Sequence, residues 1–170
     1  FLRFTGNPYL FLTFDDGPNE HTLEILKILK SYNIKSTFFM LSPKAEENID
    51  IVKKVKEDGH TIACHGVTHN FSKFYKNANS PKKEMEACSK TVESIIGEET
   101  NIVRVPYGSH PNMTDAQKEV LAAANFLMWD WNVDSYDWKA KSAKQITNNV
   151  LTQVDYMEKE KEVPVLLFHD

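Results

Sequence analysis

Two aspartates, Asp15 and Asp16, stand side by side at the end of an apolar run, Tyr9-Leu10-Phe11-Leu12-Thr13-Phe14, and Gly17-Pro18 follows at once. An apolar run stopped by a turn dipeptide reads as a buried strand that ends abruptly. Carboxylates at such an end sit where solvent and ligands reach a sheet, and the C-terminal edge of parallel strands is where active sites gather. Neighbouring carboxylates repel, so one of them needs a cation or a proton close by. Alone, Asp-Asp-Gly is also the composition of a solvated turn; the rest of the chain decides between the two.

His65 and His69 are four residues apart, a spacing that can bring two imidazoles to one metal on a helix turn or a tight loop. Together with one carboxylate they make a two-His, one-Asp set with coordination positions left open. That is the arrangement of a hydrolytic metal centre, with Zn²⁺ as the default occupant, although the same ligands can hold a non-haem iron. Such a metal makes a nucleophile of water near neutral pH, and the second aspartate is then available as general base. Three more polar clusters stand out: Arg104-Val105-Pro106-Tyr107-Gly108, Asp134-Ser135-Tyr136-Asp137-Trp138 and His169-Asp170. Singly, each has a plain reading. Arg104 could be a strand-end salt bridge, Trp138 core like Trp129 and Trp131, and His169 an ordinary terminal residue. His21, His60 and His110 fit none of the clusters and read as structural or surface residues.

The elements that must position these residues follow from periodicity. Strands are expected at Leu10–Phe14, Ser36–Leu41, Thr61–Cys64, Ile102–Val105, Phe126–Trp129 and Val163–Phe168. Helices are expected at His21–Tyr32, Ile49–Glu57, from Ser80 (as cap, with Pro81 in the first turn) to Gly97, at Thr114–Ala124 and at Ala143–Glu160. Strict alternation implies an α/β fold with a parallel sheet and right-handed crossovers, either a barrel or an open doubly wound sheet. On this map nearly every unusual polar cluster lies just past the C-terminal end of a strand, so they share one face.

The 170 residues fit one domain with a sizeable core, and no linker or repeat divides them. A net charge of −4 without a basic stripe gives no sign of a nucleic-acid partner. No apolar run approaches the ~20 residues of a membrane helix, and no signal peptide is visible. The chain begins mid-pattern at Phe1 and stops just after an apolar run, which reads as a domain taken from a longer protein. Cys64 and Cys88 lack metal-motif spacing and form no disulfide framework.

Five segments together resemble the polysaccharide deacetylases, the NodB-homology domain of carbohydrate esterase family four. Thr13-Phe14-Asp15-Asp16-Gly17-Pro18 looks like the family's first motif and His65-x-x-x-His69 its second. Arg104-x-Pro106-Tyr107-Gly108 looks like the third, Asp134-x-x-Asp137-Trp138 the fourth and Leu167-x-His169 the fifth. They occur in the family's order and cover the chain from end to end.

The resemblance implies a distorted (β/α) barrel with fewer than eight regular strands, residues 1–170 being the catalytic domain. It implies metal-dependent removal of N-acetyl groups from N-acetylglucosamine in an extracellular or cell-surface polysaccharide, with peptidoglycan the expected polymer. Chitin oligomers and acetylxylan are alternatives within catalysis, and a non-catalytic carbohydrate-binding relative is the alternative outside it. Asp16, His65 and His69 would bind a divalent ion, zinc first, with Co²⁺, Mn²⁺, Ni²⁺ or Fe²⁺ as alternatives. Asp15 would be the base and Arg104 would keep it ionised. The N–H of Tyr107 would stabilise the oxyanion, and His169, held by Asp137, would protonate the departing amine. Trp138, with Tyr107 and Leu167, would wall the acetyl pocket, and neighbouring sugars would stack on exposed aromatics such as Tyr136. The protein would act as a monomer. Two departures from the family pattern stand out: Gly66 replaces the usual Ser or Thr after the first metal histidine, which would loosen that loop, and Asn132 replaces a frequent Asp.

Overall fold

Seven strands, all parallel, form one curled sheet in the computed structural model, which describes residues 9–170. The strands are β1 (Phe11–Asp15), β2 (Thr37–Leu41), β3 (Thr61–Gly66), β4 (Ile102–Val103), β5 (Leu127–Met128), β6 (Val133–Asp134) and β7 (Val165–His169). Their spatial order is β5-β4-β3-β2-β1-β7-β6. That is the cyclic order of a barrel opened at one seam, between β5 and β6. Among the described residues, seven α-helices connect or flank the strands: α1 (Glu20–Ser31), α2 (Ser42–Glu47), α3 (Ile49–Glu57), α4 (Phe71–Phe74), α5 (Ser80–Ile96), α6 (Asp115–Ala123) and α7 (Ala143–Glu160). The expected distorted barrel with fewer than eight strands is what forms.

The pleat sorts the side chains. Phe14, Phe38, Met40, Ile62, Cys64 and Val103 face the helices, where they bury Leu26, Leu29, Val52, Val55, Met85, Cys88, Val92 and Leu121. A smaller cluster of Val133, Val154 and Leu166 lies under α7. The alternate residues, Thr13 and Asp15 on β1, Phe39 on β2, Ala63 and His65 on β3, and Leu167 and His169 on β7, fall on the concave face, because strand side chains have a period of two. The buried Asp15 and His65 therefore reach the interior through that face.

Several boundaries differ from expectation. Asp15, His65, Gly66 and His169 belong to the ends of their strands rather than to the segments just beyond them. Parallel pairing carries the ladder to Asp15 opposite Phe39 and His169, and to Gly66 opposite Leu41. Arg104 and Val105 fall outside β4, and the short helices α2 and α4 and the two-residue strand β6 have no counterpart in the expected elements. Ser80 is the first residue of α5 and not its cap; Asn79 precedes the helix without a side-chain capping bond. Gly97 does close α5 in the left-handed region, at φ 72°. A capping box of Thr114 and Gln117 starts α6, and Ser142 caps α7.

The open seam is crossed by the link between β5 and β6. The Trp129 N–H still bonds to Val103 O at 2.8 Å, whereas the Asn132 N–H already bonds to Val165 O at 3.2 Å. Between them the Arg104 guanidinium fastens the link, its Nε donating to Trp129 O at 2.9 Å and its Nη2 to Asp130 O at 3.2 Å. Nη1 donates to Thr13 Oγ1 at 2.7 Å and Asp15 Oδ1 at 2.8 Å, and Cζ lies 4.1 Å from the Phe39 ring centroid. Arg104 is fully buried. Replacing it with Met would strand Asp15 as an unpaired buried charge, so Arg104→Met should lose about 3–5 kcal/mol of stability. Adding Asp15→Asn should recover part of that loss. Urea unfolding of the two variants checks this, and a loss below ~1 kcal/mol for the single variant would contradict the assignment.

Candidate active site

β1 delivers two consecutive aspartates in different directions. Asp15, still in the strand, points inward and is buried, its Oδ1 held by Arg104. Asp16 turns into the left-handed region at φ 74° and meets the histidines. Its Oδ1 lies 3.4 Å from His65 Nε2 and 3.3 Å from His69 Nε2, and His65 Nε2 is also 3.9 Å from Asp15 Oδ2. His69 at φ 39° and Tyr107 at φ 66° share the left-handed conformation. Non-glycine residues rarely hold it, and it concentrates where surroundings enforce function.

The Asp16, His65 and His69 ligand atoms lie within 4.8 Å of one another. His65 Nδ1 sits 2.7 Å from Arg104 O. A carbonyl only accepts, so that nitrogen carries the hydrogen and Nε2 presents a lone pair toward Asp16. Burial lowers the His65 pKa, outweighing the pull of Asp15 and Asp16, and favours the neutral ligand form. Asp16 Oδ1 is buried without any hydrogen-bond partner among the described residues. A buried carboxylate oxygen without a donor is costly unless a cation satisfies it. Ligand atoms about 2.0–2.1 Å from a tetrahedral ion stand roughly 3.3–3.4 Å apart. The three residues fit a divalent metal on each of these grounds.

The other expected residues gather around this set. Asp15, Asp16, His65, His69, Tyr107, Trp138, Leu167 and His169 line one cleft of about 550 Å³. Arg104 and Asp137 stand behind it, each holding a residue that reaches it. Asp137 Oδ1 accepts from His169 Nδ1 at 2.7 Å, and Oδ2 accepts from the His169 N–H at 2.7 Å. Burial pulls the His169 pKa down, but the Asp137 hydrogen bond and charge, with Asp15 and Asp16, raise it overall. Burial pushes Asp137 up, and the bonds from His169 bring it below its usual value. The Tyr107 N–H has no acceptor among the described residues. Its ring centroid lies 4.8 Å from that of His69, tilted by 52°, and its hydroxyl donates to His69 O at 2.9 Å, so Tyr107 also braces His69.

Sequence reasoning missed one lining residue, Trp131, and gave no role to another, Asp134, although it placed Asp134 in the fourth motif. Trp131, expected in the core with Trp129, stands in the cleft against Gly108, where a Cβ would come 3.1 Å from the indole. Neither tryptophan is fully buried. The link that crosses the open seam brings Trp131 there, and no local pattern signals it. Tyr136, expected as an open sugar platform, lies outside the lining with the Lys139 ammonium 4.0 Å over its ring. The exposed aromatics at the cleft are Trp138, with 67% of its surface free, and Tyr107. Asn132 joins Val163 O and the Val165 N–H at the opposite end of β7 and takes no part. His60 is buried and accepts from the Ser36 N–H, whereas His21 and His110 are exposed.

The family model described as "Polysaccharide deacetylase" matches residues 3–129. This chain belongs to that family. It is 43% identical over 167 residues to the putative polysaccharide deacetylase YheN of Bacillus subtilis, covering 97% of this chain and 59% of the relative. It is 37% identical over 176 residues to a peptidoglycan-N-acetylglucosamine deacetylase of Bacillus cereus, covering 99% of this chain and 62% of that protein. The crystal structure of the polysaccharide deacetylase Bc1974 from Bacillus cereus superposes with a TM-score of 0.86 at 37% identity, covering 94% of this chain and 78% of that one. The chain thus spans about three fifths of the length of these curated relatives. Among the described residues no helix is long and apolar enough to cross a membrane.

The metal assignment has a direct check. The purified chain should take up one divalent ion, and His65→Ala, His69→Ala and Asp16→Asn should each lose it. Asp15→Asn should retain it, because Asp15 is committed to Arg104. Elemental analysis after dialysis decides; stoichiometric metal in the histidine variants, or equal loss in both aspartate variants, would contradict the ligand set.

Proposed function

We propose that residues 1–170 form the catalytic domain of a metal-dependent N-deacetylase that removes acetyl groups from N-acetylglucosamine units of peptidoglycan. The observation that carries this reading is the convergence, in one cleft, of the Asp16–His65–His69 set with a carboxylate, Asp15, and a separately held imidazole, His169. Amide hydrolysis needs a proton removed from water and another delivered to the amine, so acid and base must be distinct groups. A divalent cation, for which zinc is our proposal, would supply when bound the Lewis acidity that makes water nucleophilic near neutral pH.

The chain's own residues supply the rest. Asp15 Oδ1 is occupied by Arg104, which leaves Oδ2 as the atom that takes the proton from attacking water. Asp137 fixes the His169 tautomer with the hydrogen on Nδ1, so the proton given to the leaving nitrogen is the one on Nε2. The raised His169 pKa keeps that proton available above the ordinary value of 6.5. The Tyr107 N–H is the donor for the oxygen that gains charge as the carbonyl carbon becomes tetrahedral. Trp138 and Leu167 enclose the methyl group. As the C–N bond breaks, the glucosamine nitrogen takes the His169 proton and acetate departs.

The Bacillus cereus relative named for peptidoglycan N-acetylglucosamine supports that polymer over chitin oligomers or acetylxylan. A wall substrate puts the action at the cell surface or outside the cell. The acting unit in this proposal is a monomer. Acetate release from peptidoglycan, chitin oligomers and acetylxylan, with and without chelator, tests the assignment. Mass spectrometry of digested glycan should show acetyl lost from glucosamine and not from muramic acid. Loss confined to muramic acid, or to xylan, would overturn the substrate.

The acid makes a second prediction, in pH. His169 is protonated at low pH and loses its proton as pH rises through its raised value, so kcat/KM falls on the alkaline side. Asp137→Asn removes the hydrogen-bonding carboxylate while burial remains, so this limb should move to lower pH. His169→Ala should abolish the limb and slow amides far more than activated esters, whose leaving group needs no proton. An unmoved limb in Asp137→Asn, with an unchanged ester-to-amide ratio in His169→Ala, would remove His169 as the acid.

A further inference from the structure

The two histidine ligands differ in how they are held. His65 lies near the end of β3 and is tied through Nδ1 to Arg104 O. His69 lies beyond the sheet, on a loop that starts from Gly66, which has no side chain to brace it and sits at φ 101°. The brace comes from another element. Glu84, in the second turn of α5, places Oε2 at 2.9 Å from the Val67 N–H and 2.8 Å from the Thr68 N–H. Its Oε1 accepts from the Thr68 hydroxyl at 2.6 Å. Consecutive backbone N–H groups closing on one oxygen form an anion-binding nest, here filled by the protein's own carboxylate. A Cβ on Gly66 would stand 3.2 Å from both Glu84 Oε2 and the ring of Phe74, a tight fit that the bare glycine avoids.

We propose that Glu84 is a positioning residue for the metal centre: it fixes the 67–68 turn so that His69 Nε2 meets His65 Nε2 and Asp16 Oδ1. It supplies from α5 the order that the loop cannot draw from residue 66. Its three acceptor contacts all lie between the two ligands, and none reaches the cleft itself. The expected loosening by Gly66 is thereby offset. Thr68 completes the brace by donating to Glu84 while its oxygen faces the Asn70 N–H at 3.4 Å, and Asn70 in turn caps α4.

This inference rests on Asp16, His65 and His69 as metal ligands. The test is zinc affinity, measured on chelator-stripped protein by competition with a chromophoric chelator. Residues that orient metal ligands typically contribute 10–100-fold in affinity. Glu84→Ala should therefore weaken zinc binding by about 10-fold or more. Glu84→Gln should stay within about 3-fold of the parent, because its amide oxygen still accepts from both N–H groups and its NH₂ can donate to the Thr68 hydroxyl. Thr68→Val should fall between them. The unfolding midpoint of the metal-free protein separates a local effect from a general loss of stability, and Thr68→Val decides should Glu84→Ala fail to fold. Unchanged affinity in Glu84→Ala and Thr68→Val, or equal weakening in Glu84→Gln and Glu84→Ala, overturns the positioning role; the second result would mean that only the charge matters. Failure of the parent protein to bind zinc would overturn the metal reading itself and this inference with it.

Discussion

The ion pair between Asp15 and Arg104 is the constraint on which the rest of the structure depends. Both side chains lie on the concave side of an unclosed barrel, where hydration is denied them. A buried charge pair persists only when its remaining donors and acceptors are also satisfied. Arg104 meets that condition by binding Thr13, Asp15 and the backbone carbonyls of Trp129 and Asp130. In doing so it ties β1 to the link that crosses the seam, and its own carbonyl sets the tautomer of His65. One residue therefore couples closure of the fold, the placement of Asp15 and the orientation of His65.

The same logic recurs at smaller scale on the other wall. Asp137 holds His169 with both carboxylate oxygens, one on the ring and one on the backbone N–H. Glu84 holds the loop between the histidines in the same two-handed way. In each case a carboxylate from one element is saturated by donors from another, so its charge serves geometry. Asp16 is the exception, with an oxygen that no protein donor among the described residues reaches.

Much of this architecture is legible in the amino-acid sequence. Apolar runs of strand length and the boundaries of α3 and α7 can be read directly, because Ile49–Glu57 and Ala143–Glu160 carry strong helical periodicity. The motif residues are legible because each stands at or near the end of an apolar run. What escapes are features without a local signal. β6 has two residues and α4 has four, too short for any period to show. α2 follows β2 without an intervening turn. Trp131 and Glu84 act through distance in space: one is delivered by the open seam, the other by an α5 register that places residue 84 beneath residue 67. Their types alone, an indole and a glutamate within a helix, read as core and as a solvated face.

The adjacency of Asp15 and Asp16 has a mechanical consequence. A single trans peptide holds their Cα atoms about 3.8 Å apart, and the first of them is locked into a sheet. On that side the carboxylates proposed as base and as ligand share one backbone anchor, so neither shifts far without the other. His69 sits instead on a loop secured by the hydrogen bonds it donates to the Glu84 carboxylate. The site resembles a vice with one fixed jaw and one sprung jaw. In the proposed metal site, an ion of different radius would be accommodated on the sprung side, through the 67–69 loop.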